Sequence, residues 1–312
     1  MLIKGEHLEG VEPINEKLFE NKKFLKIINE KLNNKEAIIY IKSIVNERDV
    51  YDKSGYSGSS TVIVKKDENN KNEYVIKIQP KNNLKKEFIA YKYFYKEGLT
   101  SKPIKYFDCG KYEVMIVEKI NYPTAGFYFN NYKEISEFFG KELRKFHDKD
   151  FVNGKFSKEE YKTFKEKYKK SYKKAINNNS CLKYLSIYME DYDWISMQKY
   201  LKKHKQILFD DIVLVHGDFN PNNIFIQNGN IKLIDFKDSG FVDRHYDIFW
   251  TMFMIIIFSG ILKEKEKTRE CEKIFLDAYG RDLINLEKIK FFKYFACLYW
   301  QQHDELTRID IV

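Results

Sequence analysis

The sequence is poor in proline, glycine, cysteine and arginine, and it has no apolar run of membrane length. Its 312 residues include 5 Pro and 14 Gly, with 43% hydrophobic residues. That excludes collagen-like, low-complexity and largely disordered chains. A chain this long buries roughly three-quarters of its unfolded surface, so it needs no disulfide or metal staple. Cys109, Cys181, Cys271 and Cys297 are far apart, with no C-x-x-C and no histidine at zinc-ligand spacing. Neither a zinc site nor a disulfide framework is indicated, and reduced thiols in a cytoplasmic protein are expected. The first residues lack the basic-then-apolar run of a secretion signal. The longest apolar stretch, residues 248–262, has 15 residues. It falls short of the roughly 20 that a spanning helix needs and reads as a buried core helix, with no membrane partner.

Charge of one sign is in excess. The chain has 55 basic and 46 acidic residues for a net charge of +9, and only six of the basic residues are arginines. Readers of nucleic acid rely on the arginine fork for base edges and phosphates, so the lysine bias speaks against a nucleic-acid partner. Residues 151–210 hold 14 Lys and 7 Asp or Glu. The excess therefore belongs mostly to one segment, which reads as solvated helix faces.

At roughly 150 residues per domain the length gives about two domains or one two-lobed unit. No repeat is apparent. Residues 60–66 and 73–79 are β-branched runs separated by Asp67-Glu68-Asn69-Asn70-Lys71-Asn72, which predicts a hairpin. Apolar positions 84, 88, 91, 94 and 95 predict a helix over 84–97, closed by Gly98. Strands over 104–109 and 112–118 complete a small α+β lobe of about five strands and one helix. Beyond Asn121-Tyr122-Pro123 the character turns helical, over 132–147 and much of 158–206. A strand pair is then expected at 212–215 and 224–234, with Asn228-Gly229 as a hairpin turn. The two lobes divide as 1–120 and 121–312.

The most informative stretch is residues 214–247. His216-Gly217-Asp218 follows one apolar strand, Asn223 lies five residues beyond Asp218, and Asp235 follows a second apolar strand. Such loops bring together a carboxylate, an amide and a second carboxylate. Phosphoryl transfer needs that set: one carboxylate beside the attacking hydroxyl, and oxygen ligands for a Mg²⁺ that bridges phosphates.

H-G-D-x-x-x-x-N, then I-D-F, then D-R-x-x-D resembles the catalytic and metal loops of the aminoglycoside phosphotransferase, or kanamycin kinase-like, family, whose members are related to protein kinases. Gly55-Tyr56-Ser57-Gly58-Ser59-Ser60 resembles the family's phosphate loop, Lys77 its strand lysine and Glu87 the helix partner of that lysine. Arg144-Lys145-Phe146-His147 is similar to a family helix end, and residues 275–280 and 287–292 are similar to the C-terminal region of the 3'-type branch.

The resemblance implies a protein-kinase-like, two-lobed α+β fold with a nucleotide-binding N-terminal lobe and a catalytic, substrate-binding C-terminal lobe. It implies Asp218 as catalytic base and Asn223 and Asp235 as Mg²⁺ ligands. Lys77, paired with Glu87, would bind phosphates of ATP, with GTP as the other possible donor. The backbone of Gly55, Tyr56, Ser57, Gly58 and Ser59 would cover those phosphates, and adenine would meet main-chain groups around Val117 to Lys119. His216 would order the loop. Asp243, Arg244 and Asp247 would form a salt-bridged support beneath it.

The acceptor is then a small-molecule hydroxyl, first of all on an aminoglycoside antibiotic, giving resistance. Relatives carry an acidic pair in the last helix for the cationic antibiotic, where this sequence has the neutral Ala296 and Cys297. Glu190, Asp191 and Asp193, or Asp304 and Glu305, are the replacement carboxylates. A kinase of another small alcohol, such as choline, a thiosugar or a different antibiotic, uses the same catalytic residues. A non-catalytic polyanion-binding module built on 151–210 is the reading of a different class. A protein kinase is disfavoured, since no A-P-E segment follows the metal loop. The expected state is a monomer or a dimer.

Overall fold

The computed structural model describes residues 17–19, 21–45, 50–52, 60–64, 72–81, 84–129, 131–149, 156–178 and 193–299. The chain divides into two compact units, one of residues 1–122 with 225–237, the other of residues 123–224 with 238–312. The first is built on a β-sheet and the second is mostly helical.

The first unit holds a six-stranded antiparallel sheet in the order β1-β2-β3-β4-β6-β5. Its strands are β1 (Lys17–Phe19), β2 (Val50–Asp52), β3 (Ser60–Val64), β4 (Tyr74–Pro80), β5 (Pro103–Cys109) and β6 (Tyr112–Glu118). Side chains alternate across a strand. One face presents Val62, Val64, Ile76, Ile78, Val114 and Ile116, which bury against Phe24, Ile28 and Leu32 of α1 (Asn21–Lys31) and Ala37, Ile41 and Val45 of α2 (Lys35–Val45). The other face carries Lys77 and Met115, opposite one another, and receives α3 (Leu84–Lys96). A lobe of about five strands and one helix thus becomes six strands with three helices among the described residues. The apolar spacing Phe24, Ile28, Leu32 is a helical signal set among lysines and asparagines.

The hairpin of β8 (Ile224–Gln227) and β9 (Asn230–Leu233) turns through Asn228 and Gly229, both left-handed at φ 51° and 78°. That is the Asn-Gly turn the sequence predicts. Its residues cluster with the first unit because β9 bonds to the chain that follows α3. Leu233 N–H donates to the Leu99 carbonyl at 2.7 Å, and Thr100 Oγ1 donates to the Leu233 carbonyl at 2.6 Å.

In the second unit the described helices are α4 (Tyr132–His147), α5 (Lys158–Ala175), α6 (Trp194–Lys203), α7 (His245–Phe258), α8 (Lys265–Tyr279) and α9 (Leu286–Tyr299). α4 meets α8 at Gly140, where a Cβ would stand 2.5 Å from the Phe275 carbonyl oxygen. α7 takes most of the long apolar run and is buried along almost its whole length. No described helix is long and apolar enough to cross a membrane.

β7 (Ile212–Val215) does not pair with residues 224–234 as expected. It pairs antiparallel with β10 (Gly240–Asp243), from Gly240↔Val215 to Asp243↔Ile212. Four residues opening on glycine give no alternation to read. The thiols of Cys109 and Cys271 are free and buried, as expected. Cys297 departs from the expectation of reduced thiols, being disulfide-bonded.

Candidate active site

In the first unit three charged side chains from distant parts of the chain converge. Lys77 points from the centre of β4 and donates to both carboxylate oxygens of Glu87, at 2.9 and 3.1 Å. Glu87 lies in the first turn of α3 and is 1% exposed. Lys77 also reaches Asp235 Oδ1 at 3.3 Å, while Lys237 lies 3.4 Å from Asp235 Oδ2. Burial alone would push the Lys77 ammonium down, but the carboxylates of Glu87 and Asp235 outweigh it and hold the group protonated, above the ordinary lysine range.

Asp235 adopts φ 62°, in the left-handed region. Non-glycine residues enter it at a cost, and aspartate is among the few that tolerate it. Next to it, Phe236 packs on α3, stacked on Phe94 at 4.4 Å and edge-on to Tyr91 at 4.8 Å. The turn after β9 is therefore pinned by an aromatic anchor beside a strained acidic residue, a combination typical of functional sites.

In the second unit Asp218 follows β7 and is partly exposed. Its carboxylate accepts three N–H donors: Asn220 Nδ2 at 2.7 Å and Trp250 Nε1 at 3.1 Å on Oδ1, and Asn223 Nδ2 at 2.9 Å on Oδ2. Asn223 Nδ2 also donates to the Asp218 carbonyl at 3.0 Å. With its amide nitrogen so engaged, Asn223 offers its carbonyl oxygen, Oδ1, as an acceptor or ligand atom.

The loop itself is held through its backbone. Asp247, fully buried in α7, accepts the N–H groups of His216 at 2.7 Å and Gly217 at 2.9 Å. Gly217 has φ 86°, and a Cβ there would lie 2.2 Å from the Asp238 carbonyl oxygen. Only glycine fits. His216 accepts the Asp218 N–H on Nδ1 at 3.2 Å, so its ring nitrogen serves the loop. Beneath, His147 Nδ1 meets the Tyr279 hydroxyl at 2.8 Å and Nε2 lies 3.4 Å from Asp247. Burial holds the His147 imidazole below its ordinary value, against the pull of Asp247, which favours its neutral form. Arg244 meets Asp211, and Asp243 accepts from His245 and Lys288 at 2.7 and 2.8 Å.

The sequence-derived set thus falls into two groups, Lys77, Glu87 and Asp235 in one unit and Asp218 and Asn223 in the other. Val117 and Lys119 lie at the end of β6. There the N–H groups of Glu118 and Lys119 are donated to the carbonyls of Lys102 and Glu73, both at 2.9 Å, so the first main-chain donors past this ladder belong to Ile120 and Asn121. Asp193 caps α6, accepting from the N–H groups of Ile195 and Ser196. Ala296 and Cys297 are buried in α9, at 1% and 0% exposure. Gly55, Tyr56, Ser57, Gly58, Ser59, Glu190, Asp191, Asp304 and Glu305 lie outside the described residues. Trp250 was not anticipated, because its place inside an apolar run marks it only as core.

The chain was also compared with known proteins. A probable aminoglycoside 3'-phosphotransferase of Lactococcus lactis subsp. lactis (strain IL1403) is 29% identical over 251 residues, 77% of this chain and 87% of that protein. Among solved structures, an aminoglycoside-3'-phosphotransferase of type VIII superposes with a TM-score of 0.55 at 15% identity, covering 78% of this chain and 90% of the other. An ethanolamine kinase of Plasmodium vivax superposes with a TM-score of 0.61 at 17% identity, covering 97% and 90%. The fold is therefore the α+β, protein-kinase-like one that the sequence resemblance implies. Residues 52–291 match the model of the APH phosphotransferase enzyme family. The chain belongs to that family and is a phosphotransferase with an alcohol group as acceptor.

Proposed function

We propose that the enzyme transfers the γ-phosphoryl group of ATP to a hydroxyl of an aminoglycoside, with Asp218 as the base. The observation that carries this is the Asp218 carboxylate, partly exposed and oriented by three N–H donors on a loop whose backbone is fixed by Asp247. Such a group is suited to align an acceptor hydroxyl and take its proton. The 29% identity to a probable aminoglycoside 3'-phosphotransferase supports the acceptor class. Resistance to such antibiotics, in the cytoplasm where ATP is available, is the biological role that fits.

Lys77, held protonated by Glu87 and Asp235, supplies positive charge for the phosphates of the nucleotide. The glycine- and serine-rich segment 55–59 covers them in this reading. Adenine takes its contacts from main-chain groups around Val117 to Lys119 in this reading, with the N–H groups of Ile120 and Asn121 the first donors beyond those that Glu118 and Lys119 give to Lys102 and Glu73. Each taken by itself, Asn223 Oδ1 and the Asp235 carboxylate are hard oxygen donors, of the kind that would suit Mg²⁺ rather than a softer metal. The metal would supply positive charge against the phosphates.

A second reading is favoured by one observation. Ala296 and Cys297, where relatives place an acidic pair, are buried apolar positions in α9. They offer no carboxylate to a polycation, and Asp193 is engaged as a helix cap. An acceptor with a single amine, such as ethanolamine or choline, makes less demand for acidic residues, and the ethanolamine kinase covers nearly the whole chain.

The test is a coupled assay of ATP turnover against aminoglycosides, ethanolamine and choline, with wild type and Asp218→Asn. Acceptor-dependent turnover should fall by about 10² to 10⁴ in the variant, while binding of mant-ADP with Mg²⁺ is retained. Full turnover in Asp218→Asn would remove that residue as the base. Turnover with ethanolamine or choline alone would decide for the second reading.

A further inference from the structure

We propose that Glu113 and Tyr106 are positioning residues for the Lys77–Glu87 pair, acting by gripping the first turn of α3. The inference rests on the nucleotide role assigned above to Lys77. Glu113 stands in β6 and is 3% exposed. A carboxylate is costly to bury unless its oxygens are satisfied. One oxygen accepts the N–H of Leu84, the first residue of α3, at 3.1 Å, and the other accepts the Tyr106 hydroxyl at 2.7 Å. The first N–H groups of a helix have no partner within it and carry partial positive charge, so a carboxylate held there is well matched.

The grip falls on both sides of Glu87. Leu84 precedes it by three residues, and Phe88 follows it. The Tyr106 ring stacks on Phe88 with centroids 5.8 Å apart and planes 30° from parallel. Tyr106 lies opposite Met115 across β5 and β6, and Met115 lies opposite Lys77 across β6 and β4. Glu113 is two residues along from Met115, so Lys77, Met115, Glu113 and Tyr106 share one face of the sheet. The sheet that carries the lysine therefore also carries the two residues that fix where its carboxylate partner stands. The far end of α3 is tied as well, through Leu99 and Thr100 to Leu233, two residues before Asp235. Loosening the first turn lets Glu87 shift from Lys77 although neither charged residue is itself changed.

The experiment is fluorescence titration of mant-ADP with Mg²⁺ on the full chain, with thermal unfolding measured in parallel. Glu113→Ala should weaken binding about five- to tenfold, in the range found for coupled neighbours. Tyr106→Phe keeps the ring and loses the hydroxyl, so about two- to threefold is expected, and it serves if Glu113→Ala does not fold. Glu113→Gln should restore affinity, because its amide oxygen accepts from Leu84 and its NH₂ donates to the Tyr106 oxygen. In a Lys77→Met background, Glu113→Ala should cost nothing further. Wild-type affinity in folded Glu113→Ala and Tyr106→Phe would overturn the proposal, as would a Glu113→Ala loss undiminished by Lys77→Met. Unchanged affinity in Lys77→Met alone would instead overturn the nucleotide reading of the pair.

Discussion

The two units hold their reactive groups in opposite ways. In the first, Lys77, Glu87 and Asp235 come from a strand, a helix and a turn remote in sequence, and each is held by another ionised side chain. In the second, Asp218 sits in a loop fixed chiefly by its own main chain, through two N–H groups on Asp247 and a glycine no other residue can replace. Side-chain charge is the organising force in one and backbone geometry in the other. Neutral substitutions should therefore alter ligand affinity in the first unit. In the second, changes at supporting residues should alter the fold of the loop and turnover with it.

The strongest probe of that contrast is Asp247→Ala. It strands two buried N–H groups, each costing about 1 to 3 kcal/mol, so a stability loss of about 2 to 6 kcal/mol is expected in denaturant titration. Turnover should collapse in whatever fraction remains folded, while mant-ADP binding persists. Turnover unaffected by Asp247→Ala would mean that the backbone scaffold does not set Asp218. Gly217→Ala comes next. Its Cβ would meet the Asp238 carbonyl at 2.2 Å from a left-handed φ, so the loop must move. About 1 to 3 kcal/mol is expected, with kcat falling more than any nucleotide KM. Equal loss of both would blur the distinction between the units.

The smallest effect concerns pH. His147, buried beside Asp247, Tyr279, Arg244 and His245, has its imidazole held below the ordinary value. The unfolded chain then binds the proton more readily than the folded one. Its contribution is fully present above about pH 6.5 and is lost as pH falls below that, by at most about 1.4 kcal/mol per pH unit. Thermal unfolding from pH 8 to 5 should show the decline, and His147→Gln should flatten it. An unchanged slope in that variant would assign the decline to other groups.

Much of the site was legible because its residues lie in short runs. Asp218 and Asn223 are five apart, Asp235 follows an apolar strand, and the Asn228-Gly229 turn fixes the hairpin between them. α4 and β6 fall where apolar spacing puts them, since both have clear periodicity and clear ends. What escaped was long-range. β10 pairs with β7 across 25 to 31 positions and begins with glycine, so local pattern gives no hint of it. Trp250 reaches Asp218 from within an apolar helix, and Glu113 reads as an ordinary polar residue in a strand until Leu84 is placed against it. The supply of main-chain donors at the end of β6 likewise depends on both neighbouring strands, which residue types alone do not reveal.

The grouping of residues 225–237 with the N-terminal part of the chain bears on biosynthesis. Translation that stops at Tyr122 yields the sheet and α3 but neither Asp235 nor the β9 contacts that secure residues 99 and 100. Domains tend to fold as they leave the ribosome, N-terminal first. Here the first unit must wait, with the end of α3 unsecured, until about 100 residues of the second have been made. A separately expressed first unit would need residues 225–237 grafted on through a designed linker.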